Sequence, residues 1–140
     1  MKKSILIIED EYSIIKPIGE KLKRGYSVDV AKNGTEAVGY LEKGGYSLII
    51  LDIMMPHGKE ISEYIPAERT GIELLRMIRE KSPLIPVMVL TAVTEARSIN
   101  ELKKHRPDKV FYKPVDPEIF YTSVIELLEG GGEAKHEPKN

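Results

Sequence analysis

Short, mostly apolar runs alternate along this chain with longer stretches whose apolar positions recur at helical spacing. The first run, Ile5–Ile8, has no polar position, as a strand buried on both faces requires. A helical stretch through Ile14, Ile15, Ile18 and Leu22 follows, with Pro17 inside it, where a proline should weaken or kink the helix. Val28–Ala31 reads as a second strand, Asn33-Gly34 as a turn, and Ala37, Val38 and Leu41 as a helix face stopped by Gly44-Gly45. A third strand, Leu48–Leu51, runs into Asp52. Thr70-Gly71-Ile72-Glu73 reads as a capping box opening a helix with Ile72, Leu75 and Ile78 on its apolar face. Val87–Leu90 ends at Thr91, Ile99 and Leu102 suit a fourth helix, and Lys109–Tyr112 ends at Lys113-Pro114. Asp116-Pro117 has the form of an N-cap and first helical residue, ahead of a stripe of Phe120, Val124, Leu127 and Leu128. Five strands alternating with five helices predict an α/β fold with a parallel, doubly wound sheet.

Length and composition sharpen this picture. The 140 residues suit one domain, expected over 1–129. Gly130-Gly131-Gly132 opens a polar stretch, 130–140, expected to be disordered, as a plain terminus or a linker stub. The chain is 41% hydrophobic and 31% charged with a formal net charge of -1. That balance supports a core but gives no basic surface for direct nucleic-acid binding and no reason to expect a membrane partner. There are no cysteines, so disulfides, thiolate nucleophiles and cysteine-based zinc sites are excluded, and a cytoplasmic location is expected. The apolar start resembles a signal peptide only briefly, because Glu9-Asp10-Glu11 ends it.

In a doubly wound sheet, sites form outside the carboxyl ends of the strands. The polar residues collect there: Glu9 and Asp10 after the first strand, then Asp52, Thr91 and Lys113 after the third, fourth and fifth. Three carboxylates brought close repel unless a proton or cation intervenes. An oxygen-only set suits a hard ion such as Mg2+, which takes one or two carboxylates and a phosphate oxygen. Lysine offers a compact positive charge for phosphate, threonine a hydroxyl donor, and an aspartate carboxylate can itself accept a phosphoryl group. Taken singly, each of these residues is more simply a cap, a solvated loop or a surface charge. It is their conjunction at successive strand ends that points to phosphoryl chemistry.

Ile7-Ile8-Glu9-Asp10-Glu11, Leu51-Asp52-Ile53-Met54-Met55-Pro56, Leu90-Thr91-Ala92 and Tyr112-Lys113-Pro114 together resemble the motifs of response regulator receiver domains, over about residues 3–129. The resemblance implies a flavodoxin-like (βα)5 sandwich with a five-stranded sheet of order 2-1-3-4-5. It makes Asp52 the phosphoacceptor, with Glu9, Asp10, Asp52 and the Met54 backbone carbonyl holding Mg2+. Thr91 would bond the phosphoryl oxygen and Lys113 would pair with it, ahead of a cis Lys113–Pro114 bond. The phosphodonor would be a sensor histidine kinase or phosphotransfer protein, and His57, His105 and His136 are not expected to play that part. The output would be a downstream protein partner, contacted through the face of the fourth helix, fifth strand and fifth helix, with a homodimer allowed. Phosphoryl chemistry would be limited to self-catalysed phosphorylation and dephosphorylation in a signalling domain, not an enzyme.

Three departures stand out. Residues 57–69 lengthen the connection after Pro56 by about eleven residues, either as a tolerated insertion or as a rim to the site. The position three before Lys113, usually aromatic, is Val110; Phe111 and Tyr112 follow, and alternation puts Tyr112 on the face of Val110. Met54 and Val93, each two residues beyond a key residue, are apolar, which predicts slow self-dephosphorylation. Other classes fit less well. A magnesium-dependent aspartyl-phosphate phosphatase would want a second carboxylate at the position of Met54, a flavin protein would want a Ser/Thr/Gly-rich loop in place of Glu9-Asp10-Glu11, and a pseudo-receiver would lack the Asp52, Thr91 and Lys113 set.

Overall fold

A computed structural model of the chain describes residues 2–54 and 67–130, with side chains from 70 onward in the second segment. The elements are β1 (Ser4–Ile8), a 3-10 turn (Tyr12–Ile14), α1 (Lys16–Leu22), β2 (Ser27–Ala31), α2 (Gly34–Lys43) and β3 (Leu48–Asp52). After them come α3 (Ala67–Lys81), β4 (Val87–Thr91), α4 (Ala96–Lys104), β5 (Lys109–Tyr112) and α5 (Pro117–Leu128). All strand pairs are parallel and the order is β2-β1-β3-β4-β5, as the motifs imply.

The absence of polar positions in the central strands follows from burial on both faces. Leu6 and Ile8 of β1, Ile49 and Leu51 of β3, and Val87 and Val89 of β4 point to a core shared with α2, α3 and α4. The alternate residues, Ile5, Ile7, Leu48, Ile50, Met88 and Leu90, meet α1 and α5 through Ile18, Leu22, Phe120 and Val124. Each fully buried aliphatic side chain contributes about 1.5–3 kcal/mol, so the three central strands supply much of the driving force. Leu127 of the predicted α5 stripe is only partly buried.

Local signals act as predicted at two helix ends, and Asn33, read from the sequence as part of a turn, is the N-cap of a third. Asn33 caps α2 by accepting from the Glu36 amide at 2.9 Å, Asp116 caps α5 by accepting from Glu118 and Ile119, and Gly44 leaves α2 with φ of 72°. Two expectations need correction. Pro17 does not interrupt its helix: the chain first makes a 3-10 turn, and α1 starts at Lys16, which puts the proline in the first turn, where its missing N–H costs nothing. Thr70-Gly71-Ile72-Glu73 is not a capping box, because α3 already begins at Ala67. Thr70 is buried within the helix, its hydroxyl has no hydrogen-bond partner among the described residues, and Glu73 pairs with Arg76 at 2.9 Å. Of the long connection after Pro56, residues 57–66 lie outside the described residues, while 67–69 are the first turn of α3. The stretch 131–140 lies outside them as well.

Candidate functional site

Parallel register brings the carboxyl ends of β1, β3 and β4 into one row, and β5 joins it through the Lys113 amide, which donates to the Thr91 carbonyl at 2.9 Å. Glu9 is held at the end of β1 by its own amide, which donates to the Ala31 carbonyl at 2.9 Å. Glu9 and Asp52 are 1% and 2% exposed, unusual for two carboxylates. Between them lies the Lys113 ammonium, 3.3 Å from both Glu9 oxygens and 3.4 Å from Asp52 Oδ2. Asp52 Oδ1 accepts from the Met54 amide at 3.1 Å, and Glu9 Oε2 accepts from the Glu11 amide at 3.3 Å. Glu9 Oε1 is buried without a hydrogen bond among the described residues, despite the nearby ammonium.

Ionised together, two carboxylates beside one ammonium would make this pocket net negative. Burial is the main cause raising the Glu9 carboxyl from 4.5 to about 7, and the charge of Asp52 adds to it against the opposing pull of Lys113. Burial also raises Asp52, with Lys113, Glu9 and the Met54 amide pulling it back. For Lys113 burial pulls downward, but Asp52 and Glu9 outweigh it and hold the ammonium above its ordinary range. Asp10 stands exposed at the edge, and Glu9, Asp10 and Asp52 can each offer an oxygen within 4.8 Å of the others. A hard divalent cation fits this donor set: it would partner the orphaned Glu9 oxygen and relieve the repulsion that lifts the Glu9 carboxyl.

Thr91 is fully buried at the end of β4, where its Oγ1 accepts from the Val93 amide at 2.9 Å. It stands beside the charged cluster rather than in it. Met54 is half-exposed and enters the site through its amide. His105 caps the far end of α4, away from the cluster, while His57 and His136 lie outside the described residues. In β5, Val110 packs toward the α3–α4 core, Phe111 stacks edge-on against Phe120 at 5.2 Å on the opposite face, and Tyr112 is 44% exposed. The Lys113–Pro114 bond is cis.

Gly71 belongs to the site although its sequence context pointed elsewhere. A Cβ there would lie 2.2 Å from the Ile53 carbonyl oxygen and 2.5 Å from its Cα. The bare glycine therefore lets α3 press against the backbone that follows Asp52. A glycine inside a strongly amphipathic helix is the signal that could have revealed it.

The sequence pattern of the response regulator receiver domain matches residues 5–125. The chain belongs to that family. As a receiver domain it is 33% identical to the transcriptional regulatory protein YkoG of Bacillus subtilis over 129 residues, 91% of this chain and 47% of YkoG. It is 32% identical over 133 residues to the transcriptional regulatory protein ResD of the same organism, 94% of this chain and 50% of ResD. The chain thus spans about half the length of these curated relatives. The BeF3-activated receiver domain of DrrB from Thermotoga maritima superposes with a TM-score of 0.72 at 28% identity, covering 92% of this chain and 99% of that one. The receiver is a signalling domain of two-component systems, and among its described residues no helix is long and apolar enough to cross a membrane.

Proposed function

We propose that Asp52 accepts a phosphoryl group from a phosphohistidine on a sensor kinase or phosphotransfer protein, and that the receiver switches partner binding in response. The observation that carries this reading is the buried, net-negative cluster in which one ammonium serves two carboxylates. Glu9, Asp10 and Asp52, with the Met54 carbonyl, would hold Mg2+. When bound, the ion supplies positive charge against the carboxylates and the transferring group.

The remaining work falls to the chain's own residues. A carboxylate oxygen of Asp52 forms the new O–P bond as the P–N bond to imidazole breaks, and the imidazole nitrogen takes up a proton. Lys113 is already within 3.4 Å of Asp52 Oδ2, and its ammonium offsets charge on the phosphoryl oxygens. Thr91 Oγ accepts from Val93, so its hydroxyl hydrogen is left to donate to the phosphoryl group. Hydrolysis breaks the O–P bond by attack of water on phosphorus; the apolar Met54 and Val93 beside the site make this slow. That DrrB is known in a BeF3-activated form supports the reading, since BeF3 has the shape and charge of a phosphoryl group.

A cytoplasmic setting and a protein partner at the α4–β5–α5 face complete the proposal. Its rim includes Tyr112, whose exposure leaves it free to change rotamer in place of the aromatic missing at Val110. The naming of YkoG and ResD as transcriptional regulators supports an output in gene control, with DNA contacts made outside this domain. Incubation with Mg2+ and acetyl phosphate, followed by intact mass, tests the core claim. One phosphoryl adduct should form, and Asp52→Asn should abolish it. A folded wild type with no adduct, or an adduct surviving in Asp52→Asn, overturns it.

A further inference from the structure

The end of the sheet opposite the acidic cluster carries a second feature. There α2 and α3 part above β3 to leave a cavity of about 160 Å3. Val38 and Leu41 of α2, Met77 and Ile78 of α3, Ile49 and Ile85 form its apolar walls. A cavity of roughly 150 Å3 with such walls stays dry and holds a benzene ring.

The walls are fixed in advance. The Tyr46 hydroxyl donates to Asp29 Oδ2 at 2.6 Å, which sets the ring beside the opening. Arg79 Nη1 donates to the Ile85 carbonyl at 2.6 Å, and its other nitrogens anchor on the Arg106 carbonyl and Asp108. Gly44 and Gly45, with φ of 72° and 89°, keep side chains off the rim.

The rim is charged in a particular way. Glu42 stands on the α2 lip and Lys81 on the α3 lip; both are exposed, and neither has an ion pair among the described residues. Both helices end here; the carbonyl end of α2 joins Glu42 in favouring an ammonium group, while at the α3 lip the Lys81 charge must outweigh the carbonyl end of its own helix to hold a carboxylate. Opposite charges on opposite lips of a one-ring cavity match a compact zwitterion with an apolar tail.

We propose that this cavity binds a free hydrophobic α-amino acid, with its tail between α2 and α3, its ammonium at Glu42 and its carboxylate at Lys81. Such a site would give the receiver a small-molecule input independent of phosphorylation. A ligand of this size should bind with a dissociation constant of about a millimolar.

Methyl and amide NMR titrations of the full chain with L-phenylalanine, phenylacetate and phenethylamine test it. Saturable shifts should centre on Leu41, Met77 and Ile85, and L-phenylalanine should bind about twofold to fivefold more tightly than either singly charged analogue. Lys81→Gln should remove its advantage over phenethylamine, and Glu42→Gln its advantage over phenylacetate. Leu41→Trp should block all three probes, while Asp52→Asn should bind them unchanged, which separates this result from any failure of phosphorylation. No saturable shift in the wild type, equal binding of the three probes, or binding that survives both rim variants unaltered would overturn the proposal. The rim variants decide the matter should Leu41→Trp fail to fold.

Discussion

The receiver carries a charged cluster at each end of its sheet, one around the buried Arg79 and an exposed Asp108, the other around two buried carboxylates, and the two are built differently. At the amino end, Arg79 makes four hydrogen bonds, one to the Ile85 carbonyl, two to the Arg106 carbonyl and one to Asp108, whose Oδ1 also accepts from the Val87 amide. One cation meets one carboxylate, and the surrounding backbone carbonyls are satisfied. At the carboxyl end, one ammonium is shared by two buried carboxylates at 3.3–3.4 Å, and a Glu9 oxygen has no hydrogen bond. The first cluster closes α3 onto the β4 and β5 starts. The second leaves negative charge uncompensated, and stability is given up where chemistry would use it. A buried guanidinium that serves the fold is saturated; a buried carboxylate pair that would serve a reaction is left short of a partner.

Substitutions separate the two ends. Arg79→Leu should cost most, about 3 kcal/mol in urea unfolding, because it removes all four hydrogen bonds of a buried guanidinium that ties α3 to the loops before β4 and β5. A loss below about 1 kcal/mol would mean that the amino-end cluster is not structural. Gly71→Ala should cost about 1–3 kcal/mol by forcing α3 off the Ile53 backbone, and should slow phosphorylation by acetyl phosphate through displacement of Asp52. An unchanged rate would break the link from α3 to the site. Asp52→Asn should move stability the other way, with a gain of about 1 kcal/mol as one of two buried like charges goes. A clear loss in the same assay would contradict the uncompensated reading.

The last effect is one of pH. In the unfolded chain Glu9 loses its proton near 4.5, whereas in the folded protein it holds it to about 7. Between those values the folded state binds more protons, so stability falls as pH rises through that window. The thermal midpoint of the metal-free protein, taken relative to Glu9→Gln, should therefore decline from pH 4.5 to 7. Added Mg2+ should recover more at the upper end than at the lower. A difference between the two proteins that stays flat with pH would show that Glu9 is not held protonated.

Much of this was legible in the chain. Uninterrupted apolar strands ending in Asp52 and Thr91 specify both the parallel sheet and the edge where polar groups collect, because burial and strand polarity leave little freedom. Asp116 and Gly44 marked helix ends through local hydrogen bonding and local φ, which need no tertiary information. Pro17 and Thr70 misled for the opposite reason: a 3-10 turn precedes α1 and an added helical turn precedes Thr70, and neither carries a local capping or breaking signal. The Gly71–Ile53 contact and the saturation of Arg79 both involve backbone distant in sequence, which no local pattern encodes. The sharing of Lys113 between Glu9 and Asp52 could be anticipated as a cluster but not as an imbalance.

Trapping the acyl phosphate tests the account most directly. Borohydride reduces an aspartyl phosphate to homoserine, and peptide mapping then locates the converted residue. After incubation with Mg2+ and acetyl phosphate, homoserine should appear at position 52 alone, and omission of Mg2+ should sharply lower its yield. Conversion at Glu9 or Asp10 instead, or a yield indifferent to the metal, would contradict the assignment of Asp52 as acceptor in a cluster that needs a cation.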